Sequence, residues 1–204
     1  PLAGHPVVIN MSLGGSGLDA LEKAAIDYAI DRGVIIVASA GNEGNAGMGY
    51  PGAYAPVISV AAAGWRGEWP SGNNAWWYNE NIGEAAGASD YYITSFSSRA
   101  LPGQDLDVAA PGSWIVGPYQ VNSGHLGYYF LGGTSMASPH VAGLTALLLQ
   151  KDPGLTAADA EEILEASAMP LPAGSCSVNT SDGTTETVIW GTDATGSGLV
   201  NAAA

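Results

Sequence analysis

Val34-Ile35-Ile36-Val37 is a strand with no polar face. A half-exposed strand alternates apolar and polar residues, whereas a run that is apolar throughout must be covered on both sides. Val7-Val8-Ile9-Asn10 and the stretch Val57 to Ala62 read the same way. Between the first two strands, Leu18 to Arg32 spaces Leu18, Leu21, Ala25 and Ala29 at helical intervals, and Gly33 ends the helix. Strand, helix and strand of this kind predict an α/β fold, a doubly wound, mostly parallel sheet with helices on both faces. The crossover between its parallel strands is expected to be right-handed. A chain of 204 residues fits one domain.

Farther along, Gly64 to Tyr92 breaks the pattern, with Trp65, Trp69, Trp76, Trp77, Tyr78, Tyr91 and Tyr92 set among Gly, Asn and Glu. It reads as a loop insertion, either packed on its own aromatics or used for binding. Short strands are expected at Ile93–Phe96, Leu106–Val108, Trp114–Val116 and Tyr128–Leu131. Thr134 to Gln150 is apolar enough to predict a buried helix. Thr156 with Asp159 forms a capping-box pattern that opens a last helix through Ser167. Met169 to Thr195 is polar and turn-rich. Its lone Cys176 excludes an internal disulfide, leaving the thiol free or paired with another segment.

Nineteen acids against five bases give a net charge of −14. That balance argues against nucleic acid and anionic membranes as partners, since both call for basic patches. The acids are scattered, as on a solvated surface. No apolar run approaches the ~18 residues of a membrane span. His5, His125, His140 and Cys176 lack the spacing of a zinc site. Asn179-Thr180-Ser181 fits a glycosylation acceptor, a pattern too common to weigh.

Chemistry concentrates in Gly132-Gly133-Thr134-Ser135-Met136-Ala137-Ser138-Pro139-His140-Val141-Ala142-Gly143. The stretch sets a serine in the first turn of a helix, after two glycines. Unpaired N–H groups and the helix dipole gather there and favour developing negative charge. Glycine lets a substrate backbone approach closely. Pro139 is tolerated because it lies near the helix start.

This stretch closely resembles the nucleophile motif of the subtilisin-like serine peptidases. Two further segments extend the resemblance. Val37-Ala38-Ser39-Ala40-Gly41-Asn42-Glu43-Gly44 resembles the family's oxyanion-asparagine motif, and Val8-Ile9-Asn10-Met11-Ser12-Leu13-Gly14-Gly15 its substrate-pairing segment. Gly198-Leu199-Val200-Asn201-Ala202 is similar to the closing segment of such domains. The resemblance implies Ser135 as nucleophile and Asn42 as oxyanion donor beside the Ser135 amide. It implies backbone pairing of a peptide substrate with Ser12, Leu13 and Gly14, and a specificity pocket walled by Ser39, Ala40 and Gly41, with Gly49 at its base and Glu43 at its rim. Gly133 and Thr134 would border the substrate beside the nucleophile, and Tyr50-Pro51 would be a cis peptide.

No cofactor is implied for catalysis. The resemblance does offer a structural Ca²⁺ or a monovalent cation, held by Gly52, Tyr54, Val57 and Asp107; the plain alternative is an unoccupied loop with Asp107 capping or solvated. The family's catalytic Asp and His motifs lie upstream of anything matching here. The chain is therefore expected to be the C-terminal portion of one peptidase domain, residues 1–204. It would partner the missing N-terminal segment of that domain, and its setting would be extracellular. His140 cannot replace the base: five residues along a helix is about 140° of rotation and about 7.5 Å of rise from Ser135.

The expected activity is serine endopeptidase, with the isolated chain inactive. The alternative is a non-catalytic peptide-binding module or one half of a split peptidase. An α/β-hydrolase would want Gly-x-Ser-x-Gly, and Ala137 stands where its last glycine belongs. A sedolisin would place an acid at Asn42.

Overall fold

The computed structural model describes residues 4–70 and 87–203. Five strands form the main sheet: β1 (Val7–Met11), β2 (Val34–Ser39), β3 (Ile58–Trp65), β4 (Tyr91–Ile93) and β5 (Val108–Pro111). β1 pairs parallel with β2, with Val7 opposite Val34, and β2 pairs parallel with β3. β5 lies parallel to β3, and β4 joins the far end of β3 antiparallel. The fold is thus α/β with a mostly parallel sheet, as the apolar strands predict.

Alternation along the strands divides the core. Ile35, Val37, Val60, Ala62, Val108 and Ala110 face α2 (Thr134–Lys151) and α3 (Ala157–Ser167). On the other face, Ile36 and Ala38 meet α1 (Ala20–Ile30) through Ile26. α1 is capped by the Asp19 carboxylate, which accepts from Leu21 N and Glu22 N. Its buried stripe runs through Ile26, flanked by Ala29 and Ile30; Leu21 is 82% exposed, so the stripe read from Leu18, Leu21 and Ala25 is corrected. Leu21 and Ile26 lie five residues apart, on different sides of the helix. The Thr156 capping box is present in full.

The helix expected to be buried is so along one stripe, Thr134, Ala137, Ser138, Val141, Thr145 and Leu149, while Leu147 is exposed. Ile93–Phe96 is also corrected: the strand is Tyr91–Ile93, and Thr94 to Phe96 turn away after it. The strand read at Leu106–Val108 lies at Val108–Pro111. Two ribbons stand outside the sheet, β6 (Ile115–Asn122) with β7 (His125–Leu131), and β8 (Gly174–Asn179) with β9 (Thr185–Trp190). The second ribbon occupies the tail read as turns. Its Cys176, Val178, Val188 and Trp190 pack on Tyr92 and Ile93, so Cys176 is a buried free thiol and not a residue of a solvated tail. His125 opens a strand and not a loop.

Of the aromatic segment, Trp65 belongs to β3 and Tyr91 and Tyr92 to β4, pairing as Gly64 opposite Tyr92. Trp76, Trp77 and Tyr78 lie outside the described residues. Leu199 bridges Ala109 and Met169, so the closing segment lies against β5.

Candidate active site

The chemistry-bearing loops leave the C-terminal ends of the parallel strands, where such sheets bind ligands. Ser12–Gly14 follow β1, and Ala40–Asn42 follow β2. Against both lies the first turn of α2, with Ser135 its second residue. The Ser135 N–H, in that first turn, has no intrahelical carbonyl to bond.

Contacts across the loops fix this arrangement. The Thr134 N–H donates to Asn42 Oδ1 at 2.9 Å, and Thr134 Oγ1 donates to the same oxygen at 3.1 Å. Gly41 N in turn donates to Thr134 Oγ1 at 3.2 Å. Pinning the Asn42 carbonyl turns its amide nitrogen away from Thr134. That Nδ2 lies 3.8 Å from where a Cβ on Gly133 would stand. Ser12 Oγ donates to the Ser135 carbonyl at 2.7 Å, while Ser135 Oγ reaches Ser12 O only at 3.4 Å, a long hydrogen bond. Ser135 is thus fixed through its carbonyl, and its hydroxyl is only weakly engaged.

A cavity of about 580 Å³ opens beside Ser135, with Leu13, Gly14, Ser39, Gly41 and Gly49 among its walls. Leu13 is 53% exposed and its carbonyl accepts from Ser39 Oγ at 3.2 Å. Gly15 and Tyr50 exchange two backbone bonds, at 2.9 and 2.8 Å, closing the cavity floor. A Cβ on Gly49 would meet Gly15 O at 3.3 Å, so bulk there would crowd the floor. Gly41 has φ +108°, and a Cβ would fall 2.6 Å from Glu43 Oε2, so only glycine fits. Glu43 is exposed and lines the cavity, and its Oε2 accepts from Asn42 N at 2.7 Å and Ser98 Oγ at 3.1 Å. Tyr50-Pro51 is cis.

Not every assigned residue lines the cavity. Ala40 is wholly buried, with its amide on Val60 O and its carbonyl taken by Gly49 N; it packs beneath. Gly133 and Thr134 are buried too, and Thr134 orients Asn42. Sequence reasoning missed Asn10, which accepts from Ser138 Oγ at 2.7 Å and donates to Ser12 Oγ at 3.0 Å. It also missed Leu101 and Gln104 at the cavity mouth, with Gln104 bonded to Met48 N and O. Little in the local sequence marks those residues, because the contacts that tie them to the site, Gln104 with Met48 and Asn10 with Ser138, span 56 and 128 positions.

None of the three histidines approaches Ser135. His140 Nδ1 bonds Met136 O at 2.8 Å within the helix, and His5 and His125 are exposed elsewhere. Asp107 is 2% exposed; its Oδ2 accepts from Ser59 N at 2.6 Å and Ser59 Oγ at 2.9 Å, and burial pushes its pKa up to about 6. Among the described residues no three His, Cys, Asp or Glu side chains converge on a metal position.

The site thus sets a serine at a helix N-terminus at the ends of parallel strands, with the Asn42 side chain held against the same turn. The subtilase family model matches residues 3–201, and the chain belongs to that family. It is 41% identical to subtilisin DY of Bacillus licheniformis over 169 residues, covering 80% of this chain and 50% of that protein. Thermitase of Thermoactinomyces vulgaris is 38% identical over 141 residues, covering 69% of this chain and 39% of the relative. Among solved structures, fervidolysin from Fervidobacterium pennivorans matches with TM-score 0.65 and 31% identity, over 96% of this chain and 26% of that one. The chain spans half or less of these proteins. Among the described residues no helix is long and apolar enough to cross a membrane.

Proposed function

We propose that this chain carries the nucleophile and oxyanion site of a subtilisin-like serine endopeptidase, completed by the acid and base of an upstream segment. Ser135 Oγ attacks the scissile carbonyl while an imidazole from that segment takes its proton. The tetrahedral oxyanion lies between Asn42 Nδ2 and the Ser135 N–H, the amine leaves with the proton, and water then releases the acyl-serine. The acyl side of the peptide lies along Ser12, Leu13 and Gly14, with its side chain in the 580 Å³ cavity. The observation that supports this reading best is the double hold of Thr134 on the Asn42 carbonyl oxygen, which leaves the amide nitrogen out of that contact and available as a donor.

The upstream segment would pair with the outer edge of β1, where Ile9 is 38% exposed, and cover the outer face of α2, where Leu147 is 59% exposed. The setting is extracellular. A monovalent ion on the Gly52, Tyr54 and Val57 carbonyls would act on stability alone. The weak engagement of Ser135 Oγ favours an inactive isolated chain, which alone would be a peptide-binding half. Labelling with a fluorophosphonate tests this. The chain alone labels slowly, the chain with its upstream segment labels fast, and Ser135→Ala does not label. Fast labelling of the chain alone, or labelling that survives Ser135→Ala, overturns the assignment.

A further inference from the structure

A second cavity, of about 300 Å³, opens on the other side of the nucleophile turn, with Gly132 in its wall. That volume is at the lower end for ligand sites and suits one side chain better than a cofactor. The first cavity is built from the loops after β1 and β2; this one is built from the turn after β4, the start of β6 and the β8–β9 ribbon. A peptide whose scissile carbonyl sits between Ser135 and Asn42, with its acyl side in the first cavity, must carry its amine side past Gly132 toward the second.

Phe96 and Trp114 give this cavity aromatic walls, and Tyr92 and Ser113 form its floor. Beneath the floor, Glu68 is 4% exposed and accepts from Ser113 Oγ at 2.6 Å and from the Tyr92 hydroxyl at 3.2 Å. Burial pushes the Glu68 pKa up against these donated bonds, and the Tyr92 and Ser113 oxygens also lie 3.2 Å apart, so the floor is a closed polar network. At the rim, Glu186 of β9 is the one charged residue among the described residues that line the space. Aromatic faces and one carboxylate, with no cationic side chain among the described lining residues, make a setting for a long apolar stem with a cationic head.

The rim is well supported. The ribbon packs on Tyr92 and Ile93, Asn179 Nδ2 donates to Trp69 O at 2.9 Å, and Arg99 donates to Ile189 O at 3.4 Å. Trp114 and Trp69 have φ of +49° and +48°, and their rings meet edge to face at 5.1 Å. Left-handed backbone is unfavourable for bulky residues and persists where the surroundings over-determine it, as at ligand sites.

We propose that the β8–β9 ribbon builds a subsite for lysine or arginine on the leaving-group side of the scissile bond, with Glu186 as its anionic contact and Trp114 as its aromatic wall. This rests on the peptidase reading, and the test separates the two. The complete enzyme, this chain with its upstream segment, is assayed on quenched peptides that differ only at the first two leaving-group positions. A p-nitroanilide without residues there serves as the control. Lysine and arginine peptides should exceed the glutamate peptide by about fivefold in kcat/KM, the range of a partly exposed ion pair. Glu186→Gln should bring that ratio near one, and Glu186→Lys should invert it. An unchanged ratio in both variants overturns the subsite while leaving the peptidase reading intact. A p-nitroanilide activity that is missing in the wild type, or that survives Ser135→Ala, overturns both.

Discussion

Thr134→Val removes one oxygen and nearly no volume from a fully buried side chain. Two interactions go with it, the donation to Asn42 Oδ1 at 3.1 Å and the acceptance from Gly41 N at 3.2 Å. The first is worth about 1 kcal/mol net, and orphaning the half-buried Gly41 N–H adds about 1–3 kcal/mol. Both bonds are at the long end of their range, so the stability loss should be about 2 kcal/mol. That is within the 5–15 kcal/mol of an ordinary domain, so the variant folds. Asn42 keeps one hold, the Thr134 N–H at 2.9 Å, and its amide gains freedom to turn. A loosened oxyanion donor should lower kcat about tenfold, ~1.4 kcal/mol of transition-state stabilisation, with KM nearly unchanged. Stability is read by urea titration of the complete enzyme on a Ser135→Ala background, which prevents self-digestion, and kcat on the active form. Thr134→Ser retains the hydroxyl and should recover most of both. A Val variant that loses stability and keeps full kcat would show that Thr134 does not hold the amide in place.

Asn42→Ala in the complete enzyme should lower kcat by ~10²–10³ with little change in KM, a magnitude carried over from subtilisin's own asparagine donor and not worked from this geometry. A large rise in KM at constant kcat would remove that role. Met136 follows the nucleophile, with its sulfur 3.6 Å from where a Cβ on Gly133 would stand. Peroxide should therefore depress turnover, and Met136→Ala should resist it; equal loss in both would place the damage elsewhere. In a scan of the acyl-side residue, large apolar side chains should be preferred and lysine should exceed glutamate, because the exposed Glu43 lines the cavity; a preference for glutamate or for glycine refutes the pocket. Burial holds Asp107 up to about 6 and Glu161 up to about 7, the latter pushed further by Asp107, Glu165 and Asp105. A carboxyl whose pKa is raised by folding destabilises when ionised, so the melting temperature should rise as pH falls from 8 to 5. Glu161→Gln should flatten that rise, and an unchanged slope counts against the cluster.

The local chemistry of the site was legible because each piece is set within a few residues. Two glycines before Thr134 and Ser135, an apolar helix behind them and the strand before Asn42 suffice to place a nucleophile and an amide at sheet-end loops. The apolar strands likewise dictated a two-sided parallel sheet, since no one-sided packing could cover Val34 to Val37. The capping box at Thr156 also was readable, since both of its bonds, Thr156 N to Asp159 Oδ2 and Asp159 N to Thr156 Oγ1, span three residues. What the sequence left open depends on which distant surfaces meet. Thr134 reaches Asn42 across 92 positions, and Ser12 reaches Ser135 across 123. The polar tail became a ribbon because burying Cys176, Val178 and Val188 on β4 outweighs the solvation of the exposed residues between them. α1 turned Ile26 inward and left Leu21 in water for the same reason. An apolar residue declares that it can be buried, but only the partner surface, supplied by the folded chain, decides which one is.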